Sequence, residues 1–434
     1  MTREKFNTSR IHSGYKPEQH NYSATVPIYE NTAFYLGSVK RGEKVVSGSL
    51  KNSYSYSRVA NPTVSVFEKR INHLDRGAET VALGSGMAAI TYTILNVAEG
   101  GGRVIAPYDL YGASLDEFKT LFPKYNINFD FVKDVNDFTQ ISQLVKKDTK
   151  AIFVESVSNP TTKIAEIKNL AKLAHKYKIP LIVDNTFCTP YLFNPIQLGA
   201  DIVIYSSTKG ISGHGNAISG LVVDAGNFNW DNPKFPQFKE NEFILKSPQH
   251  PDHYSFVDVF GRLAFIKRIR MKFLRLMGAV LGPFEAYLSI EGLETISERL
   301  DREINSTIKI AKFLANNSHV KHVYYSGLPD SKQFNLVKKY FPHGVGSIFS
   351  FELKGGYENV KKLINAVKIF TYLPNVGDNR SLIVNPIRTT HRETPIEARK
   401  PDHLSDNLIR LSIGLEDSSD LVSDLASAIT EAFK

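Results

Sequence analysis

Lys209 stands in Ser206-Ser207-Thr208-Lys209-Gly210, directly after the apolar run Ala200 to Tyr205, and Asp184 ends another apolar run, Pro180-Leu181-Ile182-Val183. A lysine at one strand end and a carboxylate at another are the two groups that pyridoxal 5'-phosphate requires. The amine takes its aldehyde, and the anion keeps its ring nitrogen protonated. Singly, each residue has a plainer reading, a solvated strand end for the lysine and a cap or turn former for the aspartate. The combination is what points to a cofactor enzyme. Gly84-Ser85-Gly86-Met87-Ala88-Ala89 adds a third part, because it follows a strand and opens a helix. Free N–H groups and the positive dipole end favour a phosphate there, although a tight strand-to-helix turn accounts for the same residues. Ala89 occupies the third glycine position of a dinucleotide-binding fingerprint, and no phosphate-loop motif occurs, so both of those readings lose ground.

The elements that must position these groups follow a regular alternation. From about residue 78, apolar runs at Thr80–Leu83, Arg103–Ala106, Phe129–Val132, Ala151–Val154, Leu181–Val183 and Ile202–Ile204 are separated by helical patterns. One pattern is Ile167, Leu170, Ala171 and Ala174, whose spacing lines one helix face. Such an alternation predicts an α/β fold with a mostly parallel sheet covered by helices on both faces, and ligands then bind beyond the carboxyl ends of the strands. Leu293, Ile296, Leu300, Ile304, Ile308 and Ala311 predict a long amphipathic helix. Strand-like Gly346–Phe351 and Leu408–Ile413 and a closing helix, Leu421–Phe433, predict a smaller C-terminal α+β domain. The first ~60 residues are polar, aromatic and turn-rich, the character of an arm that orders against something else. The expected division is an arm over 1–60, a cofactor domain over 61–290 and an α+β domain over 291–434.

The chain has 434 residues, 42% of them hydrophobic and 22% charged, as in a folded soluble protein. No stretch approaches the ~20 apolar residues of a membrane span, and the first residues lack a secretory core, so a cytoplasmic protein that binds no membrane is expected. Cys188 is the sole cysteine, which excludes internal disulfides and cysteine-based metal clusters. It reads as packing, and no metal site is expected. The net charge of +9 leans basic. Its densest cluster, Lys267, Arg268, Arg270, Lys272 and Arg275, is interleaved with Phe265, Ile269, Phe273 and Leu276 and reads as a solvated helix face, with no nucleic-acid module beside it.

Seven segments occur in one order: Tyr56–Thr63, Ser85–Ala89, Tyr108–Gly112, Glu155–Pro160, Val183–Thr186, Ser206–Lys209 with Gly213-His214, and Arg410–Gly414. Together they resemble the Cys/Met-metabolism enzymes dependent on pyridoxal phosphate, over nearly the whole chain. The resemblance implies the fold type I of PLP-dependent transferases, with a mostly parallel seven-stranded sheet. It implies that Lys209 binds the cofactor aldehyde and later moves protons, and that Asp184 pairs with the ring nitrogen. Gly86, Met87, Ser206 and Thr208 would hold the phosphate, with Tyr56 and Arg58 reaching over from a neighbouring subunit. Tyr111 would stack on the ring and act in proton transfer, Asn159 would bond the ring oxygen, and Arg410 and Asn375 would bind substrate, Arg410 by a bidentate clamp on its carboxylate. An arginine inside an apolar strand needs a partner anion, which supports that role independently. A homotetramer with active sites shared between two subunits is also implied.

Within the family, Phe228-Asn229-Trp230, Gly292–Thr295, Asn375–Asp378 and Thr389-Thr390-His391 look most like the O-acetylhomoserine sulfhydrylases. The implied reaction is γ-replacement of acetate on O-acetyl-L-homoserine by sulfide or a small thiol, in methionine biosynthesis. A γ-lyase or γ-synthase acting on cystathionine or methionine is the nearest rival. Methionine γ-lyases carry a cysteine after Tyr-Gly, where this chain has Ala113. A non-catalytic cofactor-binding scaffold is a rival of another class, opposed by Lys209, Tyr111 and Arg410 together. Gly210, Asn385, Arg388, His250–Ser255 and Arg392–Lys400 depart from the family pattern and leave the substrate pair, including the acyl leaving group, open.

Overall fold

The computed structural model describes residues 4–247, 250–392 and 405–434. Seven strands form one sheet in the order β1-β7-β6-β5-β4-β2-β3. These are β1 (Glu79–Leu83), β2 (Gly102–Pro107), β3 (Ile127–Val132), β4 (Thr149–Glu155), β5 (Leu181–Asp184), β6 (Ile202–Tyr205) and β7 (Gly220–Asp224). β2 pairs parallel with β3 and β4, and β4 with β5, while β7 runs antiparallel to β1 and β6. The six predicted runs all form strands. β7, the antiparallel one, adds the seventh from Leu221-Val222-Val223, which is fully buried. A second sheet orders β8 (Val320–Tyr324), β9 (Ile348–Leu353), β10 (Thr371–Tyr372), β11 (Leu382–Val384) and β12 (Leu408–Ser412) as β10-β11-β12-β9-β8.

The chain divides into two compact units. The first comprises Met1–Glu99, Asp201–Thr208 and Asn216–Glu294. Its helix Pro62–Asp75 begins where Asn61 Oδ1 accepts the Thr63 N–H at 2.9 Å, with Pro62 pre-set for the first turn, and stops at left-handed Arg76. Phe67 and Ile71 on this helix are buried, as are Val81 and Leu83 on β1. Trp230, fully buried, packs on Phe228, Phe235, Phe238 and Phe265, so the two aromatics of the Phe228-Asn229-Trp230 motif are core while Asn229 is exposed. Of the N-terminal arm, Ser9, Arg10, His20 and Val26 are buried, whereas Tyr22, Tyr35, Val39 and Val46 are exposed.

The basic cluster of this unit is not a solvated face. Arg268 is fully buried, bonded to Asn96 Oδ1 at 2.8 Å and to Glu99, and burial pulls its pKa down to about 10. Lys267 meets Glu79 at 2.7 Å, Arg270 meets Glu68 at 2.8 Å and Lys272 meets Glu242 at 2.5 Å. The reason is local. Between Ala264–Arg268 and Arg275–Met277 the helix widens to π geometry over Ile269–Leu274, which shifts the phase of its faces. Arg268 turns inward and Leu276 turns out to solvent.

The second unit comprises Gly100–Ala200, Lys209–Gly215 and Thr295–Lys434. Its helix Ile167–Lys176 buries Ile167, Leu170, Ala171 and Ala174, as their spacing predicts. The long helix predicted from Leu293 to Ala311 is instead two helices, Pro283–Glu294 and Ile296–Ala315, separated at Thr295, whose backbone leaves the helical region. Ile310 rather than Ile308 is fully buried. In the second sheet, β12 lies between β9 and β11, with Arg410 opposite Ser350 and Val384.

Candidate active site

The second unit gathers a lysine, an arginine and two asparagines linked by hydrogen bonds. Lys209 Nζ donates to Asn375 Oδ1 at 2.5 Å. Arg410, on β12 and 3% exposed, donates from one guanidinium nitrogen to Asn159 Oδ1 at 3.1 Å and from another to the Asn375 carbonyl at 3.3 Å. Asn375 therefore bridges the lysine and the arginine. Burial, with the Arg410 charge added, lowers the Lys209 pKa to about 8. Burial likewise lowers the Arg410 pKa to about 10, because both of its hydrogen-bond partners are amide oxygens rather than a carboxylate. An anion arriving beside Arg410 would relieve that cost. Asn159 spends its Oδ1 on Arg410, so its Nδ2 is the end that can donate to a ring oxygen.

The spacing of the segments that carry Lys209 and Asn375 is set by backbone. Gly377 has a positive φ, and a Cβ there would lie 2.7 Å from the Gly210 amide nitrogen. A Cβ on Gly210 would in turn meet Thr189 Cγ2 at 3.1 Å, and the Gly210 carbonyl accepts from Arg299 at 3.0 Å. The aromatic usual after the family lysine would press on Thr189 in this arrangement. Asn385 is likewise structural: its Oδ1 caps the turn Pro386–Arg388 and its Nδ2 donates to the Asp406 and Leu408 carbonyls. Arg388 pairs with Asp406 at 2.7 Å over the Tyr357 ring. Residues 393–400 of the unusual Arg392–Lys400 stretch lie outside the described residues.

Asp184 ends β5 in register with Glu155 at the end of β4. The Thr186 N–H donates to Asp184 Oδ1 at 2.9 Å, and the Tyr111 N–H donates to Glu155 Oε1 at 2.7 Å. Burial raises both carboxyls, and Glu155 is pushed well up because the Asp184 charge adds to burial. Two neighbouring carboxyls resist joint ionisation, and Glu155, pushed up by the Asp184 charge as well as by burial, is the more readily protonated of the pair. The sequence showed Glu155 only as part of a motif; a carboxylate closing the strand beside Asp184 was the signal available. Tyr111 is 42% exposed, with its ring open to a ligand. Cys188 is buried beside Ser156 Oγ, and its thiol is pushed up to about 12, so packing is its role.

The first unit holds the remaining residues. Ser85 caps the helix Gly86–Val97, accepting the Ala88 N–H at 3.0 Å on its side chain and the Ala89 N–H on its carbonyl. Gly86 and Met87 then supply first-turn N–H donors of the kind an anion takes. A Cβ on Gly86 would come 2.6 Å from Ser206 Cβ, so glycine is what allows Ser206 and the helix start to meet. Thr208 Oγ1 accepts the Ser219 N–H at 2.9 Å. Tyr56 and Arg58 are exposed, with the guanidinium 5.4 Å from the Tyr56 ring centre and bonded to the Arg275 carbonyl. Gly86, Met87, Ser206 and Thr208 thus share one unit, and Lys209, Tyr111, Asn159, Asp184, Asn375 and Arg410 the other.

These groups fit pyridoxal 5'-phosphate. An amine of depressed pKa suits an aldehyde, a carboxylate at a strand end suits a pyridinium, and a glycine-opened helix start suits a phosphate. Among the described residues no cluster of His, Cys, Asp and Glu could hold a metal ion, and no helix is long and apolar enough to cross a membrane.

The model of the family described as Cys/Met metabolism PLP-dependent enzyme matches residues 7–430. The chain is 36% identical to a homocysteine synthase of Schizosaccharomyces pombe, covering 99% of both chains. It is also 36% identical to O-acetyl-L-homoserine sulfhydrylase 1 of Thermus thermophilus, over 98% of this chain and 100% of that one. Among solved structures, a putative O-acetylhomoserine (thiol)-lyase of Campylobacter jejuni, which carries N'-pyridoxyl-lysine-5'-monophosphate, matches with a TM-score of 0.92 at 31% identity, over 98% of this chain and 100% of that one. Cystathionine gamma-lyase of Lactobacillus plantarum, complexed with L-serine, matches at 0.83 and 29%, over 99% and 100%. With the fold, the site chemistry and a full-length match in agreement, the chain belongs to the Cys/Met metabolism PLP-dependent enzymes.

Proposed function

We propose that this enzyme catalyses γ-replacement on O-acetyl-L-homoserine, with sulfide or a small thiol displacing acetate to give homocysteine or a thioether. The observation that carries the reading is the buried Arg410 cation, supplied only with amide oxygens and bridged through Asn375 to an amine of lowered pKa. That pair suits an α-amino acid, whose carboxylate and Cα–H must be presented together. The names of the full-length relatives supply the γ-substituent and the sulfur donor.

When bound, pyridoxal phosphate supplies the electron sink for bonds broken at Cα. The chain's own residues supply the rest. Lys209 and Asp184 would hold the two ends of the cofactor's reactive ring system, and Gly86, Met87, Ser206 and Thr208 its phosphate, with Tyr56 and Arg58 completing the phosphate site of a partner chain. Arg410 orients the substrate carboxylate by its planar fork. Lys209, whose lowered pKa of about 8 brings its neutral amine within reach near neutral pH, accepts the Cα proton and then moves one at Cβ. Asn375 holds that amine in place, and Tyr111 covers the ring and assists proton movement. The thiol's proton leaves with the acetate as acetic acid, which balances the exchange.

The same reading takes the protein as cytoplasmic, as a homotetramer of two active dimers, and as an arm over 1–60, a cofactor domain over 61–290 and an α+β domain over 291–434. The exposed apolar side chains of the arm support the oligomer. Purified enzyme given O-acetyl-L-homoserine should form homocysteine only when sulfide is present. Release of 2-oxobutyrate and ammonia without sulfide, at a comparable rate, would identify a γ-lyase instead.

A further inference from the structure

His391 lies in the Thr389-Thr390-His391 segment, which has no role in the chemistry described above. Its side chain is 1% exposed. Nε2 lies 3.1 Å from the Asn159 carbonyl, and Nδ1 lies 2.9 Å from Thr390 Oγ1. A carbonyl can only accept, so Nε2 carries the proton and Nδ1 accepts from the threonine hydroxyl; the tautomer is fixed by its two partners. Burial, with the Arg410 charge added, pushes the imidazole down to about 3, which keeps it neutral. The segment is held from both sides. The His391 N–H donates to the Pro386 carbonyl in the turn that Asn385 caps, and a Cβ on Gly112 would lie 2.1 Å from the Thr390 carbonyl.

One continuous chain of hydrogen bonds results, from Thr390 through His391, Asn159, Arg410 and Asn375 to Lys209. We infer that His391 is a positioning residue: by holding the Asn159 backbone it places the amide oxygen that aims Arg410 at the substrate carboxylate. The inference rests on the proposed carboxylate role of Arg410, and it adds the group that sets the direction of that clamp.

The test uses the holoenzyme and two probes that do not react onward, L-norvaline and n-butylamine, followed by the change each causes in cofactor absorption. They differ by the carboxylate alone. His391→Ala should weaken L-norvaline about five- to tenfold, the scale of one lost hydrogen bond, and leave n-butylamine unchanged. His391→Gln, whose amide can still donate to the Asn159 carbonyl, should recover most of the loss. Equal weakening of both probes, no weakening of either, or a Gln variant as poor as the Ala variant would overturn the inference. If His391→Ala does not fold, Thr390→Val decides, because it removes the donor that fixes the tautomer. A loss of about two- to threefold confined to L-norvaline is then expected, and no loss overturns the role. Failure of the wild-type enzyme to make homocysteine while it still prefers L-norvaline would count against the proposed reaction and not against His391.

Discussion

Arg410 is a cation placed where the protein offers it two amide oxygens, and that choice separates it from two other buried arginines, Arg70 and Arg268, which have Glu294 and Glu99. A counter-anion that the chain withholds is one the substrate can bring. Arg410→Lys keeps the charge but loses the fork, so KM for O-acetyl-L-homoserine should rise while cofactor absorption persists. Arg410→Ala should cost about 2–5 kcal/mol of substrate binding, read from the same assay. Lys209 makes a pH prediction. With a pKa of about 8 in place of 10.5, the cofactor-free protein should capture pyridoxal phosphate at a rate that rises up to about pH 8 and then levels, since the neutral amine is the nucleophile. Lys209→Ala should abolish both capture and turnover. The carboxyl pair should behave asymmetrically: Glu155→Gln, mimicking a protonated glutamic acid, should hold cofactor within about threefold of wild type, while Asp184→Asn should lose it. Lys209, Asp184 and Arg410 were legible in the sequence because each is a charge set into or after an apolar run. Glu155 and His391 were not, because their roles depend on strand register and on a turn that folds back to Asn159.

At the scale of elements, helix Pro62–Asp75 and β6 are tied by one bond, Tyr205 Oη donating to Asp75 Oδ1 at 2.7 Å. The tie has a pH-dependent cost. Burial raises the Asp75 pKa from 3.8 to about 7, so the folded state holds a proton that the unfolded state gives up sooner. The cost is absent well below pH 4, grows between about 4 and 7, and is constant above. Asp75→Asn keeps an acceptor for Tyr205 and removes the titration. Its stabilising effect should be ~1–3 kcal/mol larger at pH 8 than at pH 5, measured by urea unfolding. Elements with one clean period were readable, as in Ile167–Lys176, where every predicted face residue is buried. The misread ones changed phase or stopped for local reasons: a wide turn over Ile269–Leu274 carried Leu276 out to solvent, and Thr295 ended a helix that the apolar spacing alone carried through. Periodicity reports hydrophobic faces, and it does not register a single residue leaving the helical region.

For the whole molecule, the sheet was legible as strand alternation, and its seventh strand came only from the resemblance. The antiparallel β7 breaks the strand-helix rhythm that identified the others, following β6 without a helix in between. The arm was legible as aperiodic, and its exposed Tyr22, Tyr35, Val39 and Val46 are surface that a second copy can cover. Gel filtration should show a tetramer. Mixing an Arg58→Ala chain with a Lys209→Ala chain should restore activity, because one of the two sites in a mixed dimer then has both residues intact. If every site lay within one chain, the mixture would stay inactive.

The contact between Gly377 and Gly210 works as a ruler. Two backbones approach with no side chain between them, so the spacing of the segments that carry Lys209 and Asn375 cannot adjust through a rotamer change. A substrate held as proposed, by its carboxylate on Arg410, should have to match that spacing with the distance between its own amine and its carboxylate. The enzyme should therefore count carbons, accepting α-amino acids and refusing their β-isomers, in which one added methylene puts the carboxylate out of register with the clamp. Gly377→Ala, which lengthens the ruler, should blunt this discrimination by slowing the α-isomer and not by admitting the β-isomer at the wild-type α rate.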